Sequence, residues 1–225
     1  MNSIIRTEGI NRYYQSGREI VHALKDVSIS INSGTLTILK GRSGSGKTTL
    51  LNLIGALDRP DSGKIYFNGF EITVLSEGER DEIRRKYMGF VFQSIALISL
   101  MSAYENVEFG LRVAGYDKNK RKARAEQCLD FVGLSKRMNH RANELSGGEQ
   151  QRVAIARAIA HKPKVIFADE PTAELDTHMS LQVMRVFRDL VEKEGLTVVM
   201  TSHDPNLVEL ADCVFSLHDG EIVNE

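Results

Sequence analysis

Eight residues, GRSGSGKT from Gly41 to Thr48, constrain this chain more than any other stretch. An apolar run (Leu36, Ile38, Leu39) stops at Gly41, and after the loop Leu50, Leu51, Leu53, Ile54 and Leu57 recur at helical spacing. Strand, glycine loop and helix in that order predict a phosphate cradle. Glycines let successive backbone N–H groups turn inward where a side chain would otherwise stand. Those donors, with the positive end of the following helix, suit the β- and γ-phosphates of a nucleotide. Lys47 adds a full positive charge, and the Thr48 hydroxyl can ligate Mg²⁺. A Gly-rich turn ahead of an ordinary helix would not need every fixed position filled, and here all are.

The flanks sort into a core and two additions. Ile4 to Ile10 reads as a short strand, and Val27, Ile29 and Ile31 alternate with polar residues as in a half-buried strand. Ile65-Tyr66-Phe67 followed by Asn68-Gly69 predicts a hairpin, giving a small antiparallel sheet beside the core. Ser76 with Glu79 is a capping box for a helix to about Lys86, whose Arg84, Arg85 and Lys86 read as a solvated face. Met88 to Phe92 is β-prone and ends at Gln93. From Ser94 to Asn143 the pattern is helical, with stripes at Tyr104, Val107 and Leu111 and at Ala125, Cys128, Leu129 and Val132. A helix from Glu149 to His161, a strand Val165 to Ala168, a helix Met179 to Glu194, a strand Thr197 to Met200 and a closing hairpin follow. Runs such as VIFA and TVVM suit a parallel sheet covered on both faces. The expected organisation is one α/β domain over 1–225: a core of 1–93 and 144–225 with an antiparallel β subdomain, and a helical subdomain at 94–143.

Two further pieces carry chemistry. The strand Val165 to Ala168 runs into Asp169-Glu170, and two acids at the end of a buried strand are costly unless they meet a cation or do chemistry. Beside a phosphate loop, Asp169 would complete the Mg²⁺ shell and Glu170 would orient or deprotonate the attacking water. Leu145-Ser146-Gly147-Gly148-Glu149 opens a helix with two glycines and a hydroxyl, a second anion site with no phosphate of its own in this chain.

With LSGGEQQRVAIARAIA added to the phosphate loop, the chain resembles the nucleotide-binding domain of an ABC ATPase, over essentially all 225 residues and with the motifs in family order. FVFQ, YENV and ADEPT look most like the bacterial group containing LolD, MacB, FtsE and BceA. The resemblance implies a P-loop NTPase fold with a mainly parallel core sheet, and ATP and Mg²⁺ as ligands. It places nucleotide contacts at Gly41, Ser43, Gly44, Ser45, Gly46, Lys47, Thr48 and Thr49, and metal contacts at Thr48, Gln93 and Asp169. Glu170, His203 and Gln93 match the catalytic glutamate, the switch histidine and the Q-loop glutamine. Ser146, Gly147 and Gly148 match the signature that reaches a partner's nucleotide, and Asp176 the D-loop acid. An aromatic, Tyr14 or Tyr13, would stack on the adenine. Implied partners are a second copy, in an ATP-sandwiched homodimer, and an integral membrane permease whose conformation the subunit drives.

Bulk properties agree with that picture. With 29 Lys and Arg against 30 Asp and Glu, no overall field recruits nucleic acid. Two cysteines, Cys128 and Cys213, lack metal spacing and point to a reduced, cytosolic interior. No signal-peptide core or membrane-length apolar run is present, so a soluble subunit on the inner face of the cell membrane, held by its membrane partner, is expected. The alternative is a soluble ABC ATPase of DNA repair or translation. Repair members carry long coiled-coil or zinc insertions and translation members fuse two such domains; neither pattern occurs here. A module using ATP structurally would not need Glu170 and His203 together.

Overall fold

The computed structural model describes residues 3–17 and 19–223. Positions 1–2, 18 and 224–225 of the expected domain span lie outside the described residues. In chain order the first half runs β1 (Ser3–Ser16), β2 (Glu19–Val27), β3 (Ser30–Asn32), β4 (Leu36–Lys40), α1 (Lys47–Ile54), β5 (Ser62–Phe67), β6 (Phe70–Glu71), α2 (Glu77–Tyr87) and β7 (Met88–Val91). Helices α3 (Ala103–Val113), α4 (Arg121–Phe131) and α5 (Gly147–Ile159) come next. The chain then passes through β8 (Val165–Ala168), α6 (Thr177–Glu194), β9 (Thr197–Ser202), α7 (Pro205–Val208), β10 (Cys213–His218) and β11 (Glu221–Val223).

The apolar runs assemble into a six-stranded sheet ordered β11-β10-β4-β9-β8-β7, parallel throughout except for the hairpin strand β11. Every residue of β8 and β9 is buried, as strands covered on both faces must be. Alternation sends Leu39, Phe167 and Val199 to one face and Ile38, Ile166 and Val198 to the other. The first set packs on α1 (Leu50, Leu53, Ile54) and on the antiparallel sheet β2-β1-β5-β6, which β3 joins along β1. The second set packs on α5 and α6, and Val107, Leu111 and Leu129 of α3 and α4 extend that cluster. Phe187 of α6 is fully buried there. Phe187→Ala is expected to cost about 3–5 kcal/mol, read as a lower urea midpoint at unchanged m-value.

Local signals held well. The capping boxes at Ser76 and Ser102 open α2 and α3. Asn68 and Gly69 take the positive φ (51° and 85°) that their two-residue hairpin needs. Some details differ. The first strand reaches Ser16, well beyond Ile10, because from Ile10 to Ser16 it pairs with β2, a strand of weak alternation whose only buried residues are Leu24 and Val27. The expected strand through Val27, Ile29 and Ile31 is two strands, interrupted at Ser28-Ile29 shortly after Asp26 adopts φ 50°, and Thr7 bridges the break, its hydroxyl donating to Val27 O and accepting the Ile29 N–H. The alternating burial survives the break. Arg84 is not simply a solvated residue: with Arg80 it donates to the Ala56 carbonyl just beyond α1, and it pairs with Glu77. Helix ends leave carbonyls without partners, and these guanidinium groups supply them. Arg85 and Lys86 are exposed as expected.

Candidate functional site

Parallel strands finish at one edge of a sheet, and ligands of open α/β sheets gather there. That edge here collects the loop after β4, Gln93 after β7, Asp169-Glu170 after β8 and His203 after β9. Between Lys40 and α1, Gly44 (φ 79°) and Gly46 (φ 103°) take left-handed backbone. A Cβ at Gly46 would lie 2.6 Å from the Ala23 carbonyl, and one at Gly41 2.5 Å from the Leu217 carbonyl. These glycines are thus required by neighbouring backbone as well as by their own. The loop faces a cavity of about 510 Å³ bordered by Ser43, Gly44, Lys47, Thr48, Thr49 and Gln93. No side chain caps α1 and its first turn carries no acid, which leaves its N–H groups to an incoming anion. Ser45 Oγ is buried with no hydrogen-bond partner.

The acids meet the loop at Thr48 and Lys47 and are held in place by Thr201, a fully buried residue near the end of β9. Its hydroxyl donates to Asp169 Oδ1 at 2.7 Å and accepts the Glu170 N–H at 2.8 Å. Thr48 Oγ1 donates to the same carboxylate oxygen at 3.1 Å. Glu170 sits at φ 41°, a conformation costing a non-glycine residue about 1–2 kcal/mol. Its carboxylate lies 3.5 Å from Lys47 Nζ and 3.6 Å from His203 Nδ1. Lys47, 5% exposed, also donates to the carbonyls of Gly41 (2.8 Å) and Arg42 (3.1 Å). Glu170 is therefore held between two cationic or proton-carrying groups at the cavity wall. The set Thr48 hydroxyl, Asp169 carboxylate and Gln93 amide is all oxygen, the donor chemistry of a hard divalent cation. Among the described residues no group of three His, Cys, Asp or Glu is arranged to hold a metal ion by itself. Such an ion would draw the rest of its shell from phosphate oxygens and water.

The second glycine-rich tip stands apart. Ser146 caps α5, its Oγ accepting the Glu149 N–H while Glu149 accepts the Ser146 N–H. Ser146 and Gly147 are exposed, whereas Gly148 is buried: a Cβ there would lie 2.4 Å from Met179 Cε. Asp176 holds the start of α6 by accepting the Met179 N–H at 2.9 Å. Neither this tip nor Asp176 borders the phosphate cavity of its own chain. Of the two tyrosines, Tyr13 stacks on His22 at 4.1 Å and Tyr14 donates its hydroxyl to Asp58.

Sequence reasoning missed Thr201, Ala23 and Gly220, the last two bordering the cavity. A strand read as ending at Met200 hid Thr201, although TVVMTS runs on without a turn signal. Cys128 is a packing residue, its thiol pushed up to about 11 by burial. A separate, largely apolar groove of about 530 Å³ lies between Phe90 and Phe92 on one side and Phe109 and Val113 of α3 on the other, edged by Arg84 and Arg157.

Comparison with known proteins adds the following. The family model described as ABC transporter matches residues 24–173. An uncharacterized ABC transporter ATP-binding protein of Methanocaldococcus jannaschii, MJ1508, is 43% identical over 98% of this chain and 98% of its own length. The macrolide export ATP-binding/permease protein MacB 1 of Yersinia pestis is 43% identical over 99% of this chain, which spans 34% of that longer protein. Among solved structures, the dimeric post-hydrolysis state of the ATP-binding cassette MJ0796 bound to ADP and Pi superposes with TM-score 0.89 at 40% identity, covering 98% of this chain and 97% of that one.

Proposed function

The chain belongs to the ABC transporter family and is an ATP hydrolase of the ABC type, and on that premise we propose that two copies close around two ATP molecules and thereby drive a membrane permease. The observation that carries this reading is the separation of the two anion sites. The phosphate loop would cradle a triphosphate from one side, while Ser146 and Gly147 expose a helix tip that does not border the phosphate cavity of its own chain. A two-fold axis would bring each tip to the other copy's γ-phosphate, so that ATP itself becomes interface. The dimeric arrangement of the MJ0796 cassette with ADP and Pi supports it.

Within each site the proposed division of labour follows the distances. The loop N–H groups and Lys47 bind the β- and γ-phosphates. Thr48, Asp169 and Gln93 hold the divalent cation, which supplies charge neutralisation at the phosphate oxygens. Glu170 orients the attacking water and accepts its proton; Thr201 fixes the main chain of that glutamate. His203, 3.6 Å from the glutamate, would reach the γ-phosphate. After hydrolysis, charge repulsion and loss of the bridging phosphate open the dimer, a two-state switch biased by ligand.

Motion leaves through the apolar groove. Phe92, one of its walls, is followed directly by Gln93 at the phosphate cavity, so a shift at the γ-phosphate is felt at the groove. Phe92, Phe109 and Val113 are 40%, 42% and 60% exposed. In the proposal the helical subdomain 94–143 and this groove receive a cytoplasmic segment of the permease. No helix of the described residues is long and apolar enough to cross a membrane, and attachment to the inner membrane face would run through that partner. MacB, whose name joins ATP-binding and permease functions, supports a permease as the partner class. Efflux, lipoprotein release and mechanotransmission are the processes such a pair would power.

Ser146→Arg tests the dimer. The variant is expected to bind ATP as a monomer while failing to dimerise in light scattering with ATP, measured with hydrolysis arrested by Glu170→Gln. Dimerisation equal to that of the arrested parent would reject the shared site.

A further inference from the structure

Register separates the two adjacent tyrosines. Tyr14 pairs with Val21 across β1 and β2, and Tyr13 pairs with His22. Val21 and Ala23, two residues apart and so on one face of the strand, border the phosphate cavity. His22 borders it too, but its ring is stacked against Tyr13. Tyr14 is therefore on Val21's side of the ribbon, though it is not itself part of the cavity wall.

Tyr14 is not a free ring. Its hydroxyl donates to Asp58 Oδ2 at 3.0 Å, and the Arg12 guanidinium lies 4.7 Å from the ring centroid, covering one face. Arg12 pairs with Asp58 at 2.8 Å and with Asp61 at 3.3 Å. Asp61 also accepts the Tyr13 N–H at 2.7 Å, tying the strand itself. Arg12 Nε is buried without a partner, so the guanidinium is held by the two carboxylates and the ring. Both aspartates lie just beyond the C-terminal end of α1, and the N-terminal end of the same helix carries the phosphate loop.

We propose that Arg12, Asp58 and Asp61 are positioning residues for the nucleobase: through Tyr14 they set where the purine stacks relative to the phosphates. The proposal rests on the nucleotide reading of the phosphate loop. A single helix of eight residues, about 12 Å long, separates the anchor of the ring from the cradle of the phosphates. A ring already fixed at that spacing loses little rotamer freedom when a base arrives, and preorganisation of this kind appears as affinity. Arg12 covers one face of the ring, and Tyr14 stays 38% exposed, so in the proposal the base stacks on the other face.

The test uses calorimetric titration of the full chain with Mg·ATP and, separately, with Mg²⁺ and inorganic tripolyphosphate, which has no base. Tyr14→Phe keeps the ring and removes the tether; Asp58→Ala removes its acceptor. Each is expected to weaken ATP about three- to tenfold, and the double variant no more than either alone, with tripolyphosphate affinity unchanged. Equal or tighter ATP binding by Tyr14→Phe, additive losses in the double variant, or a parallel loss of tripolyphosphate would overturn it. A parent protein that bound neither ligand would instead strike the nucleotide reading itself.

Discussion

Glu170→Gln is expected to bind ATP and to hold the ATP-linked dimer while hydrolysing it about 10²–10⁴-fold more slowly, the usual loss on removing a positioned base. The amide is nearly isosteric, and the Glu170 N–H bond to Thr201 is a main-chain contact that the substitution leaves alone. What disappears is the negative charge 3.5 Å from Lys47 and 3.6 Å from His203. With no triphosphate present, that charge pairs with Lys47, and an arriving phosphate has to compete with it. Its removal frees the ammonium group, so affinity for ATP is expected to stay level or rise as turnover falls. Phosphate release and equilibrium dialysis on the same preparation separate the two effects. Turnover near that of the parent would remove Glu170 from the role of base.

Lys47→Ala is expected to strike the other quantity. A hydrogen bond to a charged group contributes about 1.5–3 kcal/mol, and that range corresponds to roughly tenfold to over a hundredfold in dissociation constant. Lys47 is buried at the loop and reaches the Gly41 and Arg42 carbonyls, so the variant loses the loop's internal brace along with the phosphate contact. Both losses weaken nucleotide binding rather than catalysis alone. Titration with a fluorescent nucleotide should show the shift at once. An unchanged dissociation constant would exclude the ammonium group from the binding site.

The parts of the site that were legible in advance are those in which one short segment supplies both geometry and chemistry. Gly44 and Gly46 announce their left-handed backbone by lacking a side chain, and Ser146 with Glu149 announces a helix start. Asp169 and Glu170 announce themselves as charges at the end of an apolar strand. Thr201 carries no such mark: a threonine in a β-rich run is ordinary, and its hydroxyl matters only because β9 lies between β4 and β8 in the sheet. Gly148 illustrates the same limit. Its place in the glycine-rich tip was readable, but its burial under Met179 follows from α6 packing against α5.

By itself the order of residues determined the phosphate loop, the acid pair, the helix caps and an α/β alternation, because φ preferences, capping and hydrophobic period act over a few residues. Tertiary structure alone decided that Lys47 and His203 both stand within 3.6 Å of the Glu170 carboxylate, that Arg84 closes the end of α1, and that Tyr14 rather than Tyr13 shares the face of Val21. Those outcomes depend on which strands lie side by side and in what register. That choice is made by burying two apolar faces at once, and no local window contains it.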